Sequence, residues 1–317
     1  MADARVTDFF DPDSGSVLGR VELKGIARVT CILYSGEGLM HNQLKTELTG
    51  VPRTALMTTR ARVEEHQRPD AIFRDPKVLE WWQSLTWDKA LDIFYTPMAQ
   101  LTWAVRANLF DQITQQHLTR HENAVVIELG AGLSTRYHRI GQGCYRWIDL
   151  DLPDITTLRR QFDTETEQHR FLDRSALDFG WMDEIPDCPL EKLLIIAEGL
   201  LMYFEVTQIQ ALIHQLRQKF PGATLVFDAF GSSPRSKGAK QLARLGAPLR
   251  WFIKNEWNVA AMGLNVVQVR SLTQENCRYP HRIGIYRWIP WVSKLPPIRN
   301  AALVLETTLK PLQNEDK

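Results

Sequence analysis

A chain of 317 residues, 44% hydrophobic and 24% charged, has the balance of a globular protein able to bury a sizeable core as one large domain or one domain with a cap. Its 38 Lys and Arg stand against 37 Asp and Glu, so the net charge of +1 gives no field for drawing in a polyanion, and no nucleic-acid partner is expected. No segment approaches the roughly 20 apolar residues of a membrane span, and MADARVTDFFDPDSGS lacks a basic run followed by an apolar stretch; no membrane association and a cytoplasmic address are expected.

Residues 1–50 are mixed and resist assignment. Asp11, Asp13 and Glu22 match three positions of a calcium loop, but Gly15 and Ser16 stand where a ligand and the obligatory glycine belong, so a polar loop is the expectation. The phrases LKGIARVTCIL and LTGVPRTALMT are too short to make a repeat. From Arg53 to His121 the pattern turns helical: TALMTTRARVEEH, then DPKVLEWWQSL after an Asp75-Pro76 start signal, then an apolar-periodic stretch from Met98 to Leu118. His117 and His121 share a helical face, but without an HExxH pattern or a cysteine pair they read as exposed helix histidines, and no metal is expected.

The chain then changes character. AVVIEL (124–129) is a β-branched run ending in a glycine-rich turn, followed by STRYHRI as a helix capped by Ser134, and by YRWIDLD (145–151) as the next strand. Pro153 opens a helix through Phe162, and a third strand is expected within 170–178. KLLIIAE (192–198) is a fourth strand, TQIQALIHQLRQKF an amphipathic helix and ATLVFDAF (223–230) a fifth strand. Such alternation predicts an α/β fold with a mostly parallel sheet covered on both faces. A basic, helical insertion is expected at about 232–262, and LNVVQVRSL and AALVLETTL supply an antiparallel edge. The division is therefore 1–120, an N-terminal segment and helical cap, and 121–317, the core. Cys31, Cys144, Cys188 and Cys277 lack CxxC spacing and read as reduced thiols.

Glu128, Gly130 and Gly132 form E-L-G-A-G at the exit of the first core strand, where glycines let a ligand approach the backbone and the next helix presents free N–H groups. A dinucleotide site would continue to a third glycine, but Thr135 stands there behind Ser134, which weakens a NAD reading. An adenosine ligand without a pyrophosphate needs less room and calls for a carboxylate ending the second strand, Asp149 or Asp151. E-L-G-A-G, D-L-D-L-P, S-A-L-D and A-E-G-L-L-M-Y-F fall in the order expected around one crevice at the strand carboxyl ends. Taken alone, Arg106 reads equally well as a surface charge and Asp178 as a turn cap.

Together with G-V-P-R-T-A-L, R-A-R-V-E-E, R-P-D-A-I-F-R-D-P, A-V-R-A-N-L-F-D and D-L-P-D-I, these motifs resemble the leucine carboxyl methyltransferase family. The nearest branch is the one typified by the tetracenomycin polyketide O-methyltransferase, and the likeness runs over roughly 48–231. The branch pattern G-L-D-T-R is here Gly132-Leu133-Ser134-Thr135-Arg136, a neutral residue in place of an acid. The resemblance implies a Rossmann-like class I methyltransferase that binds S-adenosylmethionine and releases S-adenosylhomocysteine, without a metal. It implies that Arg106 clamps the methionyl carboxylate, that Gly130 lines the cofactor, that Glu128, Gly132 and Leu152 also bind it, and that Asp151 receives the ribose hydroxyls. Asp178 and Phe179 are then at the adenine, and Glu198 faces the amino or sulfonium end. These roles suit an arginine fork, an ionised aspartate and an aromatic ring.

Glu198 and Tyr203 are the catalytic candidates, and His41, His66 and Tyr203 the candidate bases, with no motif choosing among them. Arg53 and Arg62 match recurring arginines of the branch, their contact with cofactor, acceptor or a carboxylate such as Glu65 left open. Trp81, Trp82 and Trp87, with Trp251 and Trp257, are expected either to wall an apolar acceptor pocket or to pack a core. The expected activity is methyl transfer to a hydroxyl or carboxyl of a small molecule, polyketide-like or aromatic. Alternatives are a protein C-terminal carboxyl methyltransferase and a non-catalytic adenosyl-binding module.

Overall fold

The computed structural model describes residues 48–231, 237–284 and 289–312, together with the backbone of a short antiparallel pair, β1 (Asp8–Phe10) and β2 (Val17–Gly19). The expectations placed on Asp11, Asp13, Glu22, Cys31, His41, the phrase LKGIARVTCIL and the start of the insertion, 232–236, lie outside the described residues.

The helical preface forms as its pattern predicts. α1 (Ala55–Gln67) follows a short 3-10 turn, α2 (Pro76–Trp82) begins where the Asp75 side chain accepts the Val78 N–H, and α3 (Pro97–Arg120) is capped by Thr96. α3 lays Leu101, Val105, Leu109 and Ile113 against Val126, Leu194, Ile196 and Val226 of the sheet, so preface and sheet share a core.

Short runs of consecutive apolar residues make the central strands, because helices cover both of their faces. These are β3 (Val125–Leu129), β4 (Arg146–Asp151), β5 (His169–Asp173), β6 (Leu193–Ala197) and β7 (Thr224–Phe230). Between them run α4 (Arg136–Ile140), α5 (Pro153–Arg159) and α6 (Val206–Lys219). The insertion contains α7 (Lys237–Arg244) and α8 (Glu256–Ala260), joined by non-helical chain. β8 (Leu264–Ser271), α9 (Leu272–Asn276) and β9 (Ala302–Leu309) follow.

The seven strands lie in the order β5-β4-β3-β6-β7-β9-β8. β3 to β7 pair in parallel, while β9 runs antiparallel between β7 and β8. The chain leaves β3 toward one edge and returns through β6 toward the other, so the carboxyl ends of β3 and β6 flank the switch point where α/β sheets bind ligands. Among the described residues, no helix is long and apolar enough to cross a membrane, and Cys144, Cys188 and Cys277 are free thiols.

Candidate active site

At that switch point the chain turns on two left-handed glycines, Gly130 at φ 62° and Gly132 at φ 55°. The Gly130 and Ala131 N–H groups donate to the Leu150 carbonyl at 2.8 and 3.2 Å, and Gly132 N–H donates to Asp151 Oδ2 at 2.6 Å. The end of β4 thereby shapes the turn that follows β3. Leu152 N–H donates to Asp151 Oδ1 at 2.7 Å; burial nevertheless raises the Asp151 carboxyl above its ordinary value.

The turn forms one wall of a cavity of about 380 Å³. Asp151, Leu152, Ile155, Arg174, Ser175 and Ala176 line it on the β4–β5 side. Glu198 to Leu200, Met202 to Phe204, Phe230 and Leu249 line it from the β6 and β7 ends and the insertion, and α1 and α3 add Met57, Thr58, Arg62, Trp103 and Arg106.

Beneath the cavity runs a buried ionic network. Arg106 donates Nε to Glu198 at 3.0 Å and Nη1 to Asp228 at 3.1 Å, and Asp228 also accepts the Gly199 N–H at 2.6 Å. Arg136 pairs with Glu198 and Glu128, and its Nε donates to Asp111 at 2.8 Å. Arg139 bridges Asp111 at 2.8 Å and Asp75 at 2.7 Å, while Arg62 donates to the Leu133 carbonyl at 2.6 Å and approaches Asp75 at 3.5 Å. Asp75, Asp111, Glu128, Glu198 and Asp228 thus interleave with Arg62, Arg106, Arg136 and Arg139, one more carboxyl than guanidinium. Burial pushes Glu128 up to about 7 against the pull of Arg136. Burial pushes Glu198 the same way, but Arg106 and Arg136 win and hold it below its ordinary value. Burial lowers Arg62 to about 10.

Arg106, Glu128, Gly130, Gly132, Asp151, Leu152, Glu198 and Tyr203 therefore come together around one cavity. Asp149 does not join them: it is buried and pairs with Arg159 and His169. Asp178 and Phe179 stand off the cavity wall. Asp178 is 53% exposed, accepts the Gly180 N–H and pairs with Arg174, as a turn cap would, and Phe179 packs on the core. Arg174, Ser175 and Ala176 line the wall instead.

The structure decides readings that the sequence left open and corrects two expectations, those for His117 and Ser134. Trp81 is buried and stacked on Phe162, Trp251 packs on Phe227, Trp82 and Trp87 belong to the core under α1, and Trp257 is exposed; among the described residues lining the cavity, the tryptophan is Trp103. His117 is buried beside the Lys192 carbonyl instead of exposed. Ser134 precedes α4 by two residues; it donates to Glu128 and accepts the Arg136 N–H at 3.3 Å, while Thr135 holds the cap position. His66 Nδ1 accepts the Asp75 N–H and lies off the cavity. Arg53 pairs with Asp88, and Glu65 pairs with Arg282 instead of Arg62. The network members Asp75, Asp111, Arg136, Arg139 and Asp228 were not anticipated. Asp228 left a signal, a lone carboxylate inside the apolar run LVFDAF.

A family model described as leucine carboxyl methyltransferase matches residues 55–217. The chain is 28% identical over 211 residues to the tetracenomycin polyketide synthesis O-methyltransferase TcmP of Streptomyces glaucescens, covering 66% of this chain and 77% of that protein. It is 25% identical over 274 residues to the S-adenosyl-L-methionine-dependent methyltransferase dpfgK of Gibberella zeae, covering 77% of this chain and 89% of that protein. Among solved structures, a protein of Thermobifida fusca YX assigned as a methyltransferase matches with a TM-score of 0.50 at 12% identity. That match covers 83% of this chain and 95% of the other, and it is a likeness of fold.

Proposed function

The chain belongs to the leucine carboxyl methyltransferase family and is an S-adenosylmethionine-dependent methyltransferase, and from that premise we propose that it methylates an oxygen of a small, largely apolar acid. The cavity chemistry fits the donor. Asp151 takes the ribose hydroxyls, Leu152, Ile155 and Ala176 offer apolar contact to the adenine, and Glu198 faces the amino end. Arg106 engages Glu198 and Asp228 through Nε and Nη1, which leaves Nη2 for the methionyl carboxylate. The bound cofactor supplies an electrophilic methyl group on a sulfonium.

The observation that carries the acceptor class is the composition of the cavity wall. Beside Glu198 and Tyr203, apolar Met202, Phe204, Phe230 and Leu249 line it from the β6 and β7 ends and the insertion, Met57 and Trp103 line it from α1 and α3, and no histidine is among the described residues lining it. The two catalytic candidates make poor bases at neutral pH. Glu198 is tied to two arginines and held below its ordinary value, and burial raises Tyr203, so its hydroxyl stays protonated. An acceptor that is already an anion needs no base: a carboxylate, or a phenol or enol of low pKa. The protein then contributes position, holding that oxygen about 3–3.5 Å from the methyl carbon and excluding water.

Transfer from methyl-labelled S-adenosylmethionine tests this. Apolar carboxylic acids and acidic phenols should be labelled, and rates should fall steeply as phenol pKa rises above neutrality. Labelling of a protein carboxyl terminus without labelling of any small acid would overturn the proposal.

A further inference from the structure

α4, the segment after α5 and the start of β5 bring together His138, Asp163 and His169, one ligand atom of each within 4.8 Å of the others. None of the three lines the cavity. His138 Nε2 lies 2.6 Å from Asp163 Oδ2, and His169 Nδ1 lies 3.9 Å from the same oxygen.

The other nitrogen of His169 is committed. Its Nε2 lies 2.6 Å from Asp149 Oδ2, and Asp149 also pairs with Arg159. Asp149 also accepts the Trp147 indole N–H at 3.0 Å. With its oxygens already accepting from Arg159 and Trp147, the Asp149 carboxylate accepts here too: His169 donates Nε2–H to it, and in that tautomer Nδ1 is the ring's acceptor atom. That Nδ1 is buried without a hydrogen-bond partner. Asp163 Oδ2, at 3.9 Å, is too far to hydrogen-bond with it. Tyr137 stacks on the ring with centroids 4.0 Å apart, which holds it in this orientation.

A buried, unpartnered imidazole nitrogen 3.9 Å from a carboxylate oxygen that a second imidazole already contacts is a donor set suited to a cation. We propose that His138 Nε2, Asp163 Oδ2 and His169 Nδ1 bind a divalent transition-metal ion, zinc by ligand chemistry, with the Asp149 carboxylate orienting His169 from behind. Two imidazoles and one carboxylate suit zinc and disfavour magnesium or calcium, which take oxygen ligands. Tetrahedral donors about 2.0–2.2 Å from zinc stand about 3.3–3.5 Å apart, so the 3.9 Å approach closes slightly. The 2.6 Å contact of His138 with Asp163 opens as the ion replaces its proton. The His138 side chain is 25% exposed, which gives entry to the ion and to a water as fourth ligand. The ion is structural: it fastens α4, whose Arg136 and Arg139 sit in the network beneath the cavity, to the β5 edge.

The test uses the full chain, stripped with a chelator and titrated by calorimetry with zinc alone. One equivalent should bind with micromolar or tighter affinity, cobalt should give the visible bands of a four-coordinate site, and magnesium should give no heat. His138→Ala and the near-isosteric Asp163→Asn should each weaken zinc binding at least tenfold while keeping a cooperative, metal-free thermal transition. Asp149→Asn should weaken it less, through the orientation of His169. Absence of zinc uptake by the wild type at micromolar concentration would overturn the proposal. Wild-type affinity in both His138→Ala and Asp163→Asn would do the same, because the zinc would then be bound elsewhere.

Discussion

Glu128 shows what a single carboxyl does when it is the surplus member of a buried network. Its folded-state pKa is raised to about 7 from an ordinary 4.5, so between those values the folded protein binds the proton that the unfolded chain releases. Stability from this group is full below about pH 4.5 and declines as pH rises through 7. Glu128→Gln should flatten the fall in unfolding free energy between pH 5 and 7.5, measured by urea titration at each pH; an unchanged slope would assign the surplus proton elsewhere. Asp151 makes a different prediction. Asp151→Asn leaves one acceptor oxygen for the ribose and for Gly132, and S-adenosylmethionine affinity by calorimetry should fall tenfold or more, about 1.5–3 kcal/mol for hydrogen bonds to a charged group. Affinity within twofold of wild type would remove Asp151 from the ribose.

The turn between β3 and α4 is the element on which the site depends. A side chain at Gly130 would be strained at φ 62°, and its Cβ would meet Leu200 Cδ1 at 2.7 Å. Gly130→Ala should therefore cost on the order of 1–3 kcal/mol of stability and displace Leu200 from the cavity wall, so the urea midpoint and cofactor binding should fall together; an unperturbed midpoint would mean that the turn relaxes freely. This element was legible in the sequence because a β-branched run followed by E-L-G-A-G has few other local solutions. The network was not. Arg136, Arg139 and Asp111 lie on helices where charged residues ordinarily face water, and their burial depends on helices distant in sequence meeting beneath one cavity. Asp178, by contrast, is placed by local chemistry: it caps the turn after the third strand and pairs with Arg174.

At the scale of the molecule, the division of the chain at residue 120 is one of sequence character more than of packing. α3 shares its apolar face with β3, β6 and β7, α1 supplies cavity wall, and Arg282, far along the chain, reaches back to Glu65 and Gln100. Residues 121–317 expressed alone should consequently lack a cooperative thermal transition, and a sharp transition for that fragment would show that the helical preface is a dispensable cap. Local sequence determined the strands, the helices, the glycine turn and the motif order around a crevice, because each follows from the apolar period and backbone freedom of a few neighbouring residues. Tertiary structure alone decided that Asp151 and not Asp149 faces the cavity, that the tryptophans are mostly core, that Arg106 sits between Glu198 and Asp228, and that His138, Asp163 and His169 converge. Those outcomes depend on which groups distant in sequence share a buried space, where each charge must find its partner.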